Sequence, residues 1–330
     1  MNHVMCAALV TAALAGCGGG GGGGGAGSVS APPVVPAGGG GTAGGGGDAT
    51  PPASIDSYPT LGTVNSNNGD VRVFTAIMSQ DFSSEPARGE VAARADGAGN
   101  FTFTVNAHPG VEPYQFTVNV ANAAPLIAIA GTSCGNCFRT GNVQSDSVFG
   151  TFTFLDPAAA GLSYMTVGSW AVSNFSNGLA SGGAAVVGVP TNAADLPRTG
   201  TATYVGQFVG TYRNAQTFDL IGATASSIAN FGTGVVTLET TNSHRQFIPP
   251  GEITNATPQL DFAGTMTIQS SGGARTNQLQ GTVTTRGGLT GDARGSFYGP
   301  AAAELGGAVT FRSPAAGNEA FIGAFGMKKQ

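Results

Sequence analysis

The stretch that decides the fold is GDARGSFYGPAAAELGGAVTF, residues 291–311. Two runs of alternating side chains flank a Gly-Pro break and a short Ala-rich segment. One face of these runs carries glycines and apolar side chains: Gly291, Ala293, Gly295 and Phe297, then Gly307, Val309 and Phe311. Because successive side chains of a strand point to opposite faces, this period of two predicts two β-strands. The segment between them, Ala301–Leu305, is predicted to form one helical turn across the end of a barrel.

The same alternation recurs on both sides of this stretch. Each run has one face that mixes Gly with bulky apolar residues: Ala202, Tyr204, Gly206, Phe208, Gly210 and Tyr212; Leu260, Phe262, Gly264, Met266 and Ile268; Leu279, Gly281 and Val283; Phe321, Gly323 and Phe325. With a hairpin around Gly232–Gly234, this predicts about eight strands between residues 200 and 328. Glycine weakens an ordinary strand, but a small closed barrel needs small residues opposite large ones. We therefore predict an eight-stranded, filled, antiparallel barrel over residues 196–330.

Residues 58–195 show alternating runs as well, without a sustained 3.6-residue period. They include Val71–Met78, Phe101–Asn106, Val148–Leu155 and Leu162–Val172. The turn Asp96–Asn100 joins two runs as a predicted hairpin. The folded chain is therefore predicted to be all-β, with a β-rich domain before the barrel.

The N-terminus has the form of a secretory signal. Residues 1–16 carry a short apolar run that ends in small side chains, and Leu14–Cys17 resembles the bacterial lipobox. Cys17 is predicted to be lipidated with palmitate and to anchor the protein in a membrane. The alternatives are a plain signal peptide or a chance match. A membrane-spanning barrel is disfavoured because a lipid anchor would be redundant for it.

Residues 17–57 are predicted to be a disordered tether. They include eight consecutive glycines, Gly18–Gly25, followed by Gly- and Pro-rich sequence. Such a segment buries too little apolar surface to offset its ordering entropy, and its typical span is about 35 Å.

Only 9% of the residues are charged and the chain has 13 basic residues, so no basic patch suits nucleic acid.

The sequence contains four motifs that resemble, in the same order, those of the transferrin-binding protein B family of surface lipoproteins. The stretch GVPTNAADLPRTGTATYVGQFVGTY (188–212) is similar to the start of the family's barrel, and Ile228–Gly232 is similar to the strand that follows. The motif FYGPAAAELGG, with Phe297, Tyr298, Gly299, Pro300, Glu304 and Gly307, matches the family signature, and Phe325 and Gly326 lie in its closing strand. Residues 163–170 resemble the family's handle domain.

The resemblance implies a handle domain (58–195) and a barrel (196–330) that are tethered to the outer membrane and displayed on the cell surface. Relatives bind an iron source and pass it to a TonB-dependent receptor, whereas others bind a host factor without an iron role. The chain has one handle and one barrel, so it resembles a single-lobe relative, for which haem or a haem protein is a better candidate ligand than transferrin. The alternative is a structural, adhesive or host-factor-binding lipoprotein.

Two residues outside the motifs are candidates for ligand binding. His244 and Arg245 lie in the longest predicted barrel loop, 241–259, where His244 would ligate haem iron and Arg245 would pair with a propionate. The alternative is that both are solvated loop residues.

Cys134 and Cys137 form the only CxxC motif. The sequence after Cys137 is turn-like rather than helical, so a structural disulfide is favoured over a thioredoxin-like redox centre. No zinc site is predicted, because a second Cys pair is missing.

An enzymatic function is not predicted. No nucleophile motif accompanies a histidine, and the glycine runs lack the Lys-Ser/Thr of a phosphate-binding loop. Glu304 is predicted to cap or fix a loop rather than to act as a catalytic acid. A redox or hydrolytic enzyme is therefore the third hypothesis, after the ligand-binding and the adhesive lipoprotein.

Overall fold

The computed structural model describes residues 58, 60–61, 72–79, 90–106, 114–119, 126–144, 148–174, 180–213, 218–246, 254–312 and 319–330. The predicted signal peptide, Cys17 and the glycine-rich tether lie outside the described residues, as do residues 247–253 of the predicted barrel loop. The described elements are β-strands and short 3₁₀ turns, which confirms the all-β fold.

The first nine strands form two sheets, which we call the handle. Their bounds are β1 (Arg72–Ser79), β2 (Glu90–Ala95), β3 (Asn100–Asn106), β4 (Tyr114–Asn119), β5 (Ile127–Ala128), β6 (Asn136–Gln144), β7 (Val148–Leu155), β8 (Met165–Asn174) and β9 (Ala180–Gly188). One sheet has the strand order β1-β9-β8-β7-β6-β5 and the other is β2-β3-β4. Aromatic side chains from both sheets, among them Phe103, Phe116 and Trp170, pack together as their shared core. The predicted Asp96–Asn100 hairpin is confirmed as the β2–β3 connection.

The next strands form a closed barrel. They are β10 (Thr201–Arg213), β11 (Phe218–Asn230), β12 (Val235–Gln246), β13 (Thr254–Ala256), β14 (Phe262–Ser271), β15 (Ala274–Thr285), β16 (Thr290–Tyr298), β17 (Glu304–Arg312) and β18 (Ala320–Lys329). The order β11-β10-β18-β17-β16-β15-β14-β12, with β11 also paired to β12, closes an antiparallel ring of eight strands, and β13 adds to β12. The eight-stranded barrel is therefore confirmed.

The alternation of glycine and aromatic residues is explained inside the barrel. The Phe208 ring lies over Gly323, where an added Cβ would come within 2.2 Å of its Cζ atom. The Phe325 ring lies over Gly307 in the same way, at 2.6 Å. Large side chains therefore fill the space that the glycines leave, as expected for a small barrel without a lumen.

The handle packs against the outer surface of β10, β17 and β18. Along β10, inward and outward residues alternate between buried and exposed only near its start, and from Gln207 to Tyr212 both faces are buried. Met165 and Val167 of β8 contact Gly326, and Met165 also contacts Gly306. These outward glycines give the handle sheet a flat surface on which to pack.

Three predicted local structures are wrong. Residues 300–302 form a 3₁₀ turn instead of a helical turn over Ala301–Leu305, and Glu304 already pairs with Tyr298 in the sheet. The tight β16–β17 connection leaves no room for a longer turn. The sequence after Cys137, predicted to be a turn, belongs to strand β6 because it pairs with β7. Residues 241–246, predicted to be part of a loop, extend β12 because they pair with β11 and β13.

In the described part of the chain, no helix has the length and apolar character needed to cross a membrane.

Candidate functional site

The two ends of the barrel differ in what they carry. We call the end at which β10, β12, β15 and β17 finish the upper end, and the end at which they begin the lower end. The connections 214–217, 247–253 and 313–318, which lie outside the described residues, all follow strands that finish at the upper end. Loops at one end of a rigid barrel are the common location of a ligand site, so the upper end is the candidate site.

A polar cluster occupies the interior at the upper end. Arg245 of β12 donates a hydrogen bond through Nη2 to Oδ2 of Asp219, a fully buried carboxylate of β11. The Arg245 guanidinium lies 5.5 Å from the centre of the Tyr212 ring, within the range of a cation–π interaction. Burial raises the pKa of Tyr212, and the hydroxyl's hydrogen bond to Glu319 adds to this effect. The cluster therefore closes the barrel with paired charges.

Below the cluster the interior is filled with aromatic rings. Phe311 and Phe321 stack at 5.2 Å between ring centres, and Phe208 and Phe262 pack edge to face at 5.2 Å. At the lower end the Phe297 ring lies 5.9 Å from Tyr204 and 5.4 Å from Phe231. The barrel interior is therefore a packed core, and ligand contacts are left to the ends and the outer surface.

His244 and Arg245 do not point to the same place. Consecutive residues of a strand point to opposite faces, and Arg245 contacts the interior Tyr212, so His244 lies on the outer face. The Nδ1 atom of His244 is 2.9 Å from the Asn242 carbonyl oxygen. Because a carbonyl only accepts, Nδ1 donates here, and in the neutral ring Nε2 keeps its lone pair. His244 can thus offer a nitrogen ligand, while Arg245 is held by Asp219.

The signature motif lies at the lower end, where the barrel meets the handle. Gly299, at a φ of 69°, precedes Pro300 and lets the chain pass Tyr164, whose ring would be 2.2 Å from an added Cβ. Glu304 accepts hydrogen bonds from the backbone N–H groups of Ser163 at 2.6 Å and Tyr164 at 3.1 Å.

The other motif residues fill the interior or face the handle. Phe297, Gly307 and Phe325 lie in the barrel core or under its rings, whereas Tyr298 and Gly326 face the handle. The signature therefore positions the handle against the barrel, at the end opposite the candidate site.

Burial has a strong effect on Glu304. It raises the pKa of this carboxyl group to about 7, although the backbone donors of Ser163, Tyr164 and Met165 and the charge of Lys328 act in the opposite direction. Glu304 therefore titrates near neutral pH while it holds the start of β8 on the barrel.

The predicted disulfide is present. Cys134 and Cys137 are bonded, with their Cα atoms 5.9 Å apart. Among the described residues no group of three or more His, Cys, Asp or Glu side chains is placed to hold a metal ion. Cys17 lies outside the described residues.

Sequence reasoning missed Asp219 and Tyr212 as partners of Arg245. An acidic residue at the start of β11, two positions before the inward Ile221, was a usable signal, because an inward carboxylate in an apolar row requires a cation. The pairing of β11 with β12 that brings Arg245 to it could not be derived from spacing.

Comparison with known proteins agrees with the barrel. Residues 196–329 match a family described as the C-lobe and N-lobe beta barrels of Tf-binding protein B. A search of curated protein sequences finds no match to the chain.

Solved structures similar to this chain include two transferrin-binding proteins. One is a double mutant of Transferrin Binding Protein B from Haemophilus parasuis Hp5, with 13% identity and a TM-score of 0.43 over 73% of this chain and 53% of that chain. Another is the isotype 1 protein from serogroup B Neisseria meningitidis, with 18% identity and a TM-score of 0.43 over 78% of this chain and 43% of that one. The chain spans about half the length of these proteins. The barrel of this chain, residues 196–329, is thus similar to the C-lobe and N-lobe barrels of Tf-binding protein B.

Proposed function

We propose that this protein is a lipoprotein, anchored in the outer membrane and exposed at the cell surface, that binds an iron source through the upper end of its barrel. The observation that carries the proposal is the match of residues 196–329 to the barrels of Tf-binding protein B. Cys17 would carry the lipid, and residues 17–57 would be the tether. Delivery to a TonB-dependent receptor is part of the proposal.

The path of the chain supports the choice of the upper end. The Tyr58 hydroxyl donates a 2.6 Å hydrogen bond to Asp195, which precedes β10, and the Leu61 N–H donates to Ser163, next to Glu304 at the lower end. The segment that follows the proposed tether is therefore fixed near the lower end. A protein anchored through that segment would present its upper end away from the membrane.

The packed interior favours a protein ligand over free haem. Aromatic rings occupy the space in which a small-lumen barrel would hold a small molecule. An outer surface with loops suits an iron-carrier protein, either a transferrin-like protein or a haem protein. We propose that His244 contacts this ligand directly and that Arg245, held by Asp219, supports the strand end beside it.

Binding to immobilised full-length protein tests the proposal. Iron-loaded transferrin, iron-free transferrin, haemoglobin and free haem are each passed over the surface. We expect one of the protein carriers to bind, and His244→Ala to weaken its binding about tenfold, equivalent to about 1.4 kcal/mol.

The matched control is Arg198→Ala, which removes an exposed side chain near the lower end. This variant is expected to bind as the wild type does. If none of the carriers binds, and a deletion strain grows normally on each of them as its iron source, the iron role is wrong and an adhesive or host-factor role takes its place.

A further inference from the structure

The hairpin that contains the disulfide lies on the outside of the barrel. We call residues 129–137 the cystine hairpin. The Ser133 N–H donates a 2.9 Å hydrogen bond to Oε1 of Gln207 on β10, and Nε2 of Gln207 donates in return to the Ser133 hydroxyl, also at 2.9 Å. Thr224 of β11 and Asn242 of β12 both donate side-chain hydrogen bonds to the Gly131 carbonyl, at 3.2 and 3.3 Å. One short hairpin of the handle thus bridges three barrel strands.

The backbones of the hairpin and the barrel are in close contact. A Cβ added to Gly131, whose φ is 86°, would lie 2.4 Å from the carbonyl oxygens of Asn242 and Gly222. A Cβ added to Gly222 would lie 2.3 Å from the Ala130 carbonyl oxygen. Ile129 and Cys137 are buried in the same apolar cluster as Val209 and Leu220 of the barrel. The backbone of the hairpin therefore packs tightly against the backbone of the barrel at this position.

The barrel is irregular directly beneath the hairpin. The β11–β12 register shifts between Gly222 and Thr224, and Asn242 opposite adopts a φ of 62°, an uncommon conformation for a residue with a side chain. The Asn242 carbonyl is also the partner of the His244 ring. Such a β-bulge is maintained by what surrounds it, and here the surroundings include the Gly131 backbone.

The two cysteines differ in their exposure to solvent. Cys137 is fully buried, whereas Cys134 is partly exposed beside the exposed Gly135 and Asn136. We propose that the Cys134–Cys137 disulfide is a redox-sensitive latch, which holds the cystine hairpin on β10–β12 and fixes the bulge beside His244. The disulfide closes a loop of two residues and so fixes the backbone that presents Gly131 and Ser133 to the barrel.

A dithiol is the reductant that opens the latch. Its thiolate attacks Cys134 Sγ, because Cys134 is the more exposed of the two cysteines; the S–S bond breaks and the electron pair leaves on Cys137 Sγ, which takes up a proton. The second thiol of the reductant then displaces Cys134 from the mixed disulfide. The protein gains two electrons and two protons, and the reductant becomes a cyclic disulfide.

Hydrogen exchange on the full chain, before and after reduction with dithiothreitol, tests the latch. We expect reduction to speed exchange about tenfold in residues 129–135 and in the bulge segments 220–224 and 241–246. Exchange in β15 and β16, across the barrel, should not change. The double variant C134S/C137S is expected to show the same pattern without reductant.

Two glutamine variants complete the design. Gln207→Ala removes both side-chain bonds to Ser133 and should speed exchange in the hairpin with the disulfide intact, whereas Gln278→Ala, at an exposed position on β15, should not. Unchanged exchange in β11 and β12 on reduction would overturn the proposal. Equal acceleration in all barrel strands would overturn it too, because the disulfide would then support the whole fold.

Discussion

A single carboxyl group controls the junction between handle and barrel. Glu304 is buried where β17 begins, and its two oxygens accept the N–H groups of Ser163 and Tyr164. Removing a carboxylate from water is costly, so the proton is retained to a higher pH than in the unfolded chain. The junction therefore couples proton binding to stability.

The first prediction concerns the pH dependence of stability. The pKa of Glu304 is about 7 in the folded protein against 4.5 ordinarily, so the folded state binds the proton more tightly. This group's contribution is complete below pH 4.5 and is lost as the pH rises through 7, a loss of about 3 kcal/mol at most. In urea unfolding at several pH values, Glu304→Gln should lack this decline. A variant that declines like the wild type would contradict the prediction.

The second prediction concerns the glycines of the barrel interior. Gly323→Ala places a methyl group 2.2 Å from the Phe208 ring and 2.8 Å from the Val209 carbonyl oxygen. Overpacking of this kind costs about 1–3 kcal/mol. In the control Gly182→Ala on β9, the nearest atom to the new methyl group is 3.4 Å away, so the free energy of unfolding should change little. Equal effects of the two variants would mean that the aromatic-over-glycine packing does not matter.

The alternation of side chains along a strand is enough to predict which residues face the barrel core. It does not predict contacts with distant parts of the chain. The row Tyr204, Phe208 and Tyr212 lies in the barrel core as expected. The roles of Gln207 and Asn242 could not be predicted, because they depend on a hairpin about 75 to 110 residues earlier in the chain.

Strand ends depend on pairing more than on composition. Residues 241–246 are polar and resemble a loop, yet they remain in β12 because β11 continues beside them and β13 adds on the other side. Strand β6 is a similar case, since Gly141 and Asn142 are poor strand formers that pair with the Phe-rich β7. Sheet context overrides local propensity in both strands.

The third prediction concerns strand β8 on the barrel surface. Met165 is fully buried against Gly306 and Gly326, so Met165→Ala leaves a cavity between handle and barrel and costs about 2–4 kcal/mol. The amides of Ser163 and Tyr164, bound to Glu304, should then exchange faster. The control Met266→Ala empties space within the barrel and should destabilise it without this local effect. Equal exchange at Ser163 in both variants would argue against a specific role of Met165.

For the whole molecule, the fold class and the barrel followed from the sequence, while the location of the protein in the cell is still a proposal. The period of two and the glycine pattern were sufficient for eight strands and closure. The packing of the handle on β17 and β18 was not predictable, because the outward glycines look the same as the inward ones in the sequence.

The fourth prediction tests the anchor. Cells grown with an alkyne-labelled palmitate should label the wild-type protein, and Cys17→Ser should abolish the label and the recovery in the outer-membrane fraction. Cys6→Ser, within the predicted signal peptide, should keep both. Protease added to intact cells should digest the wild-type protein. Labelling that persists in the Cys17→Ser variant would contradict the proposed lipidation site.

Closure of the ring has a consequence for how the chain is made. Strand β10 pairs with β18, and Tyr204 lies opposite Lys329, so the first barrel strand completes its pairing only after the last barrel strand has been made. In the handle, β1 likewise cannot pair until β9 has been made. Until then both barrel edges are open and able to add strands from other chains. Such a chain needs protection from other chains while it folds, and a version cut before residue 320 would tend to aggregate rather than fold in part.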